Sequence, residues 1–269
     1  MSFLITFLIL ISKQIIGLFG IFFIFGALLA YFQNKTNQEY QKIFGWKGIL
    51  WTAWLGTPVH ELSHWLMAKI FHHRIIRLSL FSPNPHTGGL GEVQHAYDRH
   101  SFYQRLGNIF IGLSPLFIGL AGLYFLLYFL VPNGPEIIHL IRATKIDPSE
   151  IVHILGNFFS ATNLTTWHFW LFLYLSVCLA SHLSPSWEDI KNTLSSWLWL
   201  LFFLLILDTG LLFFHLDPLW LSLKFNTWIR PLFFLCGYAL GLSFFHYLAV
   251  LIFLRPLSWL RRKSFTSHS

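Results

Sequence analysis

Thr57-Pro58-Val59-His60-Glu61-Leu62-Ser63-His64-Trp65 lies inside an apolar block covering residues 47–71, and the reading of the whole chain turns on it. A block of that length, coiled as a helix of roughly 20 residues, crosses a hydrocarbon core of about 30 Å. Two imidazoles and a carboxylate do not belong in hydrocarbon unless an ion, water or a polar partner compensates them, since each costs on the order of 2–3 kcal/mol there. The stretch therefore reads as a membrane helix built around a polar site.

Outward from this block, others of the same kind recur at about residues 5–32, 102–131, 167–183, 196–216 and 228–254. The 269 residues are 55% hydrophobic, 19% aromatic and only 11% charged, where an ordinary soluble domain carries about 25% charge. These features argue against a water-soluble fold. They predict an all-α polytopic membrane protein of about six transmembrane helices, one integral-membrane domain over residues 1–269. The amino terminus has no basic segment ahead of its apolar run, so it is expected to be a membrane helix and not a cleaved signal; Lys13 and Gln14 interrupt it.

Formal net charge is +7. The basic residues gather between blocks and in the tail (Arg255, Arg261, Arg262, Lys263), which suits an anionic membrane surface and not nucleic acid. His72, His73, Arg74, Arg77 and Arg99 follow the motif block, so that loop and the tail are expected in the cytoplasm. An even number of spans then puts both termini there, in a cytoplasmic membrane, with 33–46, 132–166 and 217–227 outside. Cys178 and Cys236 lie in apolar runs without a Cys-x-x-Cys pair and are expected to serve packing only.

Two stretches are not expected to span. Ile75-Ile76-Arg77-Leu78-Ser79-Leu80-Phe81 is followed by Pro83, Pro85, Gly88 and Gly89 and by a partly alternating arm over residues 90–97, which predicts a small cytoplasmic β-hairpin. Ile137, Ile138, Leu140 and Ile141 beside Arg142 and Lys145 predict an interfacial amphipathic helix.

The chemistry rests on His-Glu-x-x-His. Residues four apart share a helix face, so His60 and His64 can hold one ion; zinc fits two imidazoles, one oxygen ligand and an open position, with Glu61 as base. The bland alternative is a polar network gluing helices together. Ile70 stands where a metzincin would supply a third His, so that ligand must come from farther along. Asp189 is the first choice, in a segment where Ser184 and Pro185 look like a helix cap and first turn and where Asp189, Asn192, Thr193 and Ser196 share a face. A structural role for Asp189 at the helix dipole competes with this, and Glu188, His182, Glu92 and Asp208 are the alternatives. Asn108, seven residues before Pro115 in the third span, is a candidate for binding a substrate backbone. His72, His73, His86, His95 and His100 are expected near headgroups or in solvent.

Through Val59-His60-Glu61-Leu62-Ser63-His64-Trp65 in an early span and a later carboxylate after a Pro, the chain resembles the site-2 protease family of intramembrane zinc metalloproteases, over roughly residues 56–189. The resemblance implies His60, His64 and Asp189 as zinc ligands and Glu61 as catalytic base. It also implies a membrane-protein substrate, held by an edge strand of the hairpin. The Asn-Pro and Asp-Gly pattern of that family is replaced here by Ser184-Pro185-Ser186-Trp187-Glu188-Asp189-Ile190, Asn108 precedes Pro115, and there is no PDZ-like insert. A metal-binding or transport protein and a zinc hydrolase of lipid-linked substrates are the alternative functions.

Overall fold

The structure is a computed structural model that describes residues 11, 12, 14, 16, 20–143, 148–214 and 218–256. Its first continuous helix, α1, is Ile21–Phe44. Good helix formers and the Lys42–Glu39 pair at 2.6 Å carry it well past residue 32, through most of a segment expected to be an outer loop. The remainder of the span expected at residues 5–32 lies largely outside the described residues. A 3-10 turn, Gly45–Ile49, leads into the motif helix α2, Leu50–Ile70.

Strands β1, Arg74–Ser79, and β2, Glu92–Ala96, pair antiparallel with Arg74 opposite Ala96 and Ser79 opposite Glu92; a register shift falls between Ile75 and Arg77. The hairpin predicted from Pro, Gly and alternation is therefore present. Beyond the strands the ladder continues with Ser82 N–H to Leu90 O and Asn84 N–H to Gly89 O.

Helix α3, Phe102–Leu130, is the central element, capped by the Ser101 side chain. Helices α4, Gly134–Ala143, and α5, Pro148–Phe158, pack back on its far end, and a short turn α6, Ala161–Leu164, leads to α7, Trp167–Ala180. The predicted amphipathic segment is thus a pair of helices, with Ile137, Ile138, Ile141, Ile154 and Phe158 turned inward. Helix α8, Trp187–Ser195, and α9, Trp197–Phe213, meet at Ser196 with a bend of 47°. Helix α10, Pro218–Ala249, runs on into a π-turn, Val250–Leu254.

Leu116, Leu120 and Leu123 of α3 are fully enclosed by side chains of α1, α7 and α10, including Phe22, Leu29, Leu179, Leu235 and Ala239. That cluster holds the helices around α3 and so fixes what can approach its middle turns.

Among the described residues, Phe102–Leu130 and Leu232–Leu254 are each long and apolar enough to cross a membrane, and the bent pair α8–α9 adds a third if it counts as one span. The fold is mostly helical with one two-stranded sheet, as expected, but a count of six spans is not established. Helix α7 is apolar yet has only 14 residues, about 21 Å of helix. The motif helix has 21 residues, but its polar groups keep it from being uniformly apolar.

Candidate metal centre

A helix places residues i and i+4 one above the other on one face. His60 and His64 follow this rule: their ring centroids are 4.8 Å apart and their Nε2 atoms face each other at 3.1 Å. What fixes the rings lies on neighbouring segments. His60 Nδ1 is 2.8 Å from the main-chain O of His182, and His64 Nδ1 is 2.9 Å from the main-chain O of Ile111. A carbonyl can only accept, so each Nδ1 carries the proton and donates. Each Nε2 is left without a proton, and the two stand 3.1 Å apart.

Both carbonyls are available for local reasons. Pro115 has no N–H, so the O of Ile111, four residues earlier in α3, loses its helical partner. It accepts instead from His64 and from Ser114 Oγ at 2.7 Å. His182 lies just beyond the end of α7, where helix carbonyls run out of intrahelical donors. Two glycines let these segments come close enough. A Cβ at Gly56 would stand 2.4 Å from Cys178 O and 2.3 Å from the His182 ring, and one at Gly112 would stand 2.6 Å from Asp189 O and 2.2 Å from Thr193 Oγ1. Gly56 seats the end of α7 against the motif helix; Gly112 seats α8 against α3.

The second seat brings Asp189 to the imidazoles, with Oδ1 3.4 Å from His64 Nε2 and Oδ2 3.8 Å from His60 Nε2. The helix cap here is Ser186, with Trp187 starting α8, so Ser184 and Pro185 lie before it and not in its first turn as expected. Ser186 Oγ accepts from Asp189 N–H, and Asp189 Oδ2 accepts from Ser186 N–H at 2.7 Å, a capping box. Structural and ligand roles, which compete in the sequence, coincide in one side chain: the cap orients the carboxylate that faces the imidazoles. Of the residues expected to share its face, Thr193 and Ser196 are buried against α3, and Asn192 is exposed.

His60, His64 and Asp189 thus offer one donor atom each within 4.8 Å of one another, the one such group of three among the described residues. A tetrahedral ion with ligands at about 2.0–2.2 Å holds them about 3.3–3.6 Å apart. The separations of 3.1 Å between the two Nε2 atoms, 3.4 Å from His64 Nε2 to Asp189 Oδ1 and 3.8 Å from His60 Nε2 to Asp189 Oδ2 lie near that spacing, with the two imidazoles facing different oxygens of one carboxylate. No family model, curated protein or solved structure matches this chain. The donor geometry must therefore carry the reading by itself.

Glu61, next to His60, faces the hairpin. Its Cγ would lie 2.7 Å from a Cβ at Gly91, so the return arm passes directly over it. Asn108 is buried and donates to Ser196 Oγ at 3.2 Å, which joins α3 to the α8–α9 bend. The alternative ligands are engaged elsewhere. Glu188 pairs with Lys191, Glu92 with Arg77, and Asp208 accepts from Gln14 at 3.0 Å; the His182 ring sits 3.4 Å from Thr52 Oγ1 while its carbonyl serves His60.

Among the loop histidines, His73 is buried and not in solvent. Its Nε2–H donates to Gln104 O at 2.9 Å, which leaves Nδ1 to accept from His95 Nδ1–H, also at 2.9 Å. Burial holds the His73 pKa below the usual imidazole value. Burial, with the adjacent His73 next in size, brings that of His95 down to about 4. Both rings are neutral at pH 7, and the pair staples the hairpin to the start of α3.

In the sequence Pro115 stands out only by following Asn108, a departure from the family order. Counting back four residues from a Pro in a predicted helix would have exposed the Ile111 carbonyl. Pro115→Ala restores an N–H that competes with His64 for that carbonyl. We expect metal affinity, measured by competition with a chelating dye, to fall about 10- to 100-fold, as for other groups that orient metal-bound histidines. Unchanged affinity would show that the freed carbonyl does not hold His64.

Proposed function

We propose that this chain is a zinc-dependent intramembrane endopeptidase, as its resemblance to the site-2 protease family implies, hydrolysing peptide bonds in or near membrane-spanning segments of substrate proteins. The observation that carries the reading is the pair of Nε2 atoms, freed of protons by carbonyls on two other segments, with the Asp189 carboxylate beside both. Polar glue between helices needs none of this orientation.

Two neutral imidazoles and one carboxylate form an N2O donor set with a fourth position open, which is the common arrangement in hydrolytic zinc sites. Zinc held there supplies Lewis acidity toward a carbonyl and brings the pKa of a coordinated water to about 7. Glu61 takes a proton from water and returns it to the leaving amine. Each Nδ1–H is held by a carbonyl, which fixes the tautomer that leaves Nε2 of His60 and His64 as the donor to the ion. The low exposure of His64 and Asp189, 8% and 13% of their side chains, keeps bulk water from competing with the charges at the centre.

The bilayer setting is supported by the apolar lengths of Phe102–Leu130 and Leu232–Leu254, and by large apolar side chains facing outward, such as Trp51, Leu198, Phe213 and Phe253. The six-span topology with both termini in the cytoplasm belongs to the same proposal.

The test is metal analysis and cleavage on the full chain purified in detergent. We expect about one zinc per chain and cleavage of a fluorescent single-span peptide that stops with a chelator and returns with zinc; His64→Ala should have neither metal nor cleavage. A protein that stays metal-free in the presence of zinc overturns the reading. One that binds zinc but turns over a labelled lipid, and no peptide, makes it a lipid hydrolase instead.

A further inference from the structure

Gly91 marks a tight passage beside the proposed base. A Cβ there would stand 2.7 Å from Glu61 Cγ, 2.9 Å from Leu80 O and 3.0 Å from Ser79 O, so the return arm is wedged between Glu61 and the outgoing arm of the hairpin. An extended peptide laid beside a strand needs a gap of about 4.7–4.9 Å. No such gap lies between Gly91 and Glu61, and the side chains of His60, His64 and Asp189 are each at most 14% exposed. With the arm in this place, a peptide backbone does not pass between it and Glu61.

The hairpin is held weakly for an element that covers a site. No residue of β1 or β2 is fully buried, and large apolar side chains such as Ile76 and Leu78 face outward. A two-stranded hairpin by itself is marginally stable at best in water, and active-site lids are drawn from such weakly held segments. Its joint to the motif helix is His72, at φ 59°, the one non-glycine with positive φ among the described residues. That conformation is uncommon for a residue with a Cβ. A single residue at the end of an element is also where a swing of this kind is absorbed.

One side chain ties the hairpin down. Between Ile70 and Phe102 only His73 is buried. Its Nε2–H donates to Gln104 O of α3, its Nδ1 accepts from His95 Nδ1–H of β2, and its ring stacks on Tyr97 at a centroid distance of 5.3 Å. His95 follows Gly91 on the same arm, so this hydrogen bond anchors the segment that covers Glu61.

We propose that the hairpin is a lid over Glu61, hinged at His72 and latched by the His95–His73 hydrogen bond, which lifts to admit a substrate peptide. Its purpose rests on Glu61 being the base, but its motion requires neither zinc nor turnover. The experiment therefore reads the motion: the full chain in detergent is treated with a water-soluble carbodiimide and an amine, modified carboxyl groups are mapped by mass spectrometry, and hydrogen exchange is followed over residues 90–97. In wild type, Glu61 should react far more slowly than Glu188, whose side chain is 76% exposed. His95→Phe keeps a ring and removes the donor. We expect Glu61 labelling and exchange of the arm to rise about 3- to 10-fold, the worth of one hydrogen bond, with Glu188 unchanged. His95→Asn offers an N–H in place of Nδ1–H and should return both to near wild type. Wild-type behaviour in His95→Phe, equal loosening in His95→Asn, or wild-type Glu61 labelling as fast as that of Glu188 overturns the proposal. The expected labelling in a chain that binds no zinc and cleaves no peptide would support the hinged hairpin and remove the hydrolase.

Discussion

Glu61→Gln should bind one zinc per chain and cleave a membrane-spanning peptide about 100- to 10,000-fold more slowly than wild type, the range that general-base catalysis contributes. The argument is geometric. Glu61 is not among the three residues whose donor atoms converge, so removing its charge leaves His60, His64 and Asp189 in place. The amide has the same shape, so the packing of the return arm at Gly91 over this side chain is kept. What is lost is the ability to accept a proton. Metal content by plasma emission, beside single-turnover cleavage, separates the two functions. Full activity in Glu61→Gln would remove Glu61 from the mechanism, whereas loss of zinc would make it a ligand or a structural support.

Gly112→Val should abolish stoichiometric zinc binding although residue 112 touches no ligand atom of the centre. Any Cβ there meets Asp189 O at 2.6 Å. That atom is backbone, so no rotamer change relieves the contact; α8 must move away from α3. The capping box ties the Asp189 carboxylate to Ser186 N–H, so the whole first turn moves with it. A shift of about 1 Å takes Asp189 out of ligand range, for which bond lengths are held within about 0.2 Å. Overpacking of this kind also costs about 1–3 kcal/mol of stability. Gly122→Ala is the control, because its new Cβ would meet only the flexible tip of Leu179 at 3.1 Å. Wild-type zinc affinity in Gly112→Val would mean that Asp189 does not hold the ion or that α8 is not seated by Gly112.

These two expectations differ in where they could be read. Glu61 was legible in the chain itself, because His-Glu-x-x-His in a helix is a local pattern: 3.6 residues per turn put both imidazoles on one face without any tertiary information. The hairpin was legible for the same reason, from Pro and Gly between arms with period-two alternation, and α3 from its length and apolarity. The limits of α1 were not. The polar residues after Phe32 resemble a loop, but Lys, Gln and Glu also favour helix, and only packing decides between those readings. The span count is likewise not established by local pattern, because α7 is short and the segment after it bends at Ser196.

Taken alone, the sequence determined that two imidazoles share one helix face beside a carboxylate, in a chain too apolar for an ordinary soluble domain. Only the tertiary structure decided which carboxylate completes the group and which way the rings face. Asp189 lies 125 residues beyond His64, and the acceptors that orient the imidazoles are main-chain oxygens, which carry no residue-specific signature. Their arrival depends on how closely α7 and α8 approach α2 and α3, a distance set by the missing side chains of Gly56 and Gly112. Contacts of that kind are made across the fold, between segments whose separation along the chain tells nothing of their separation in space.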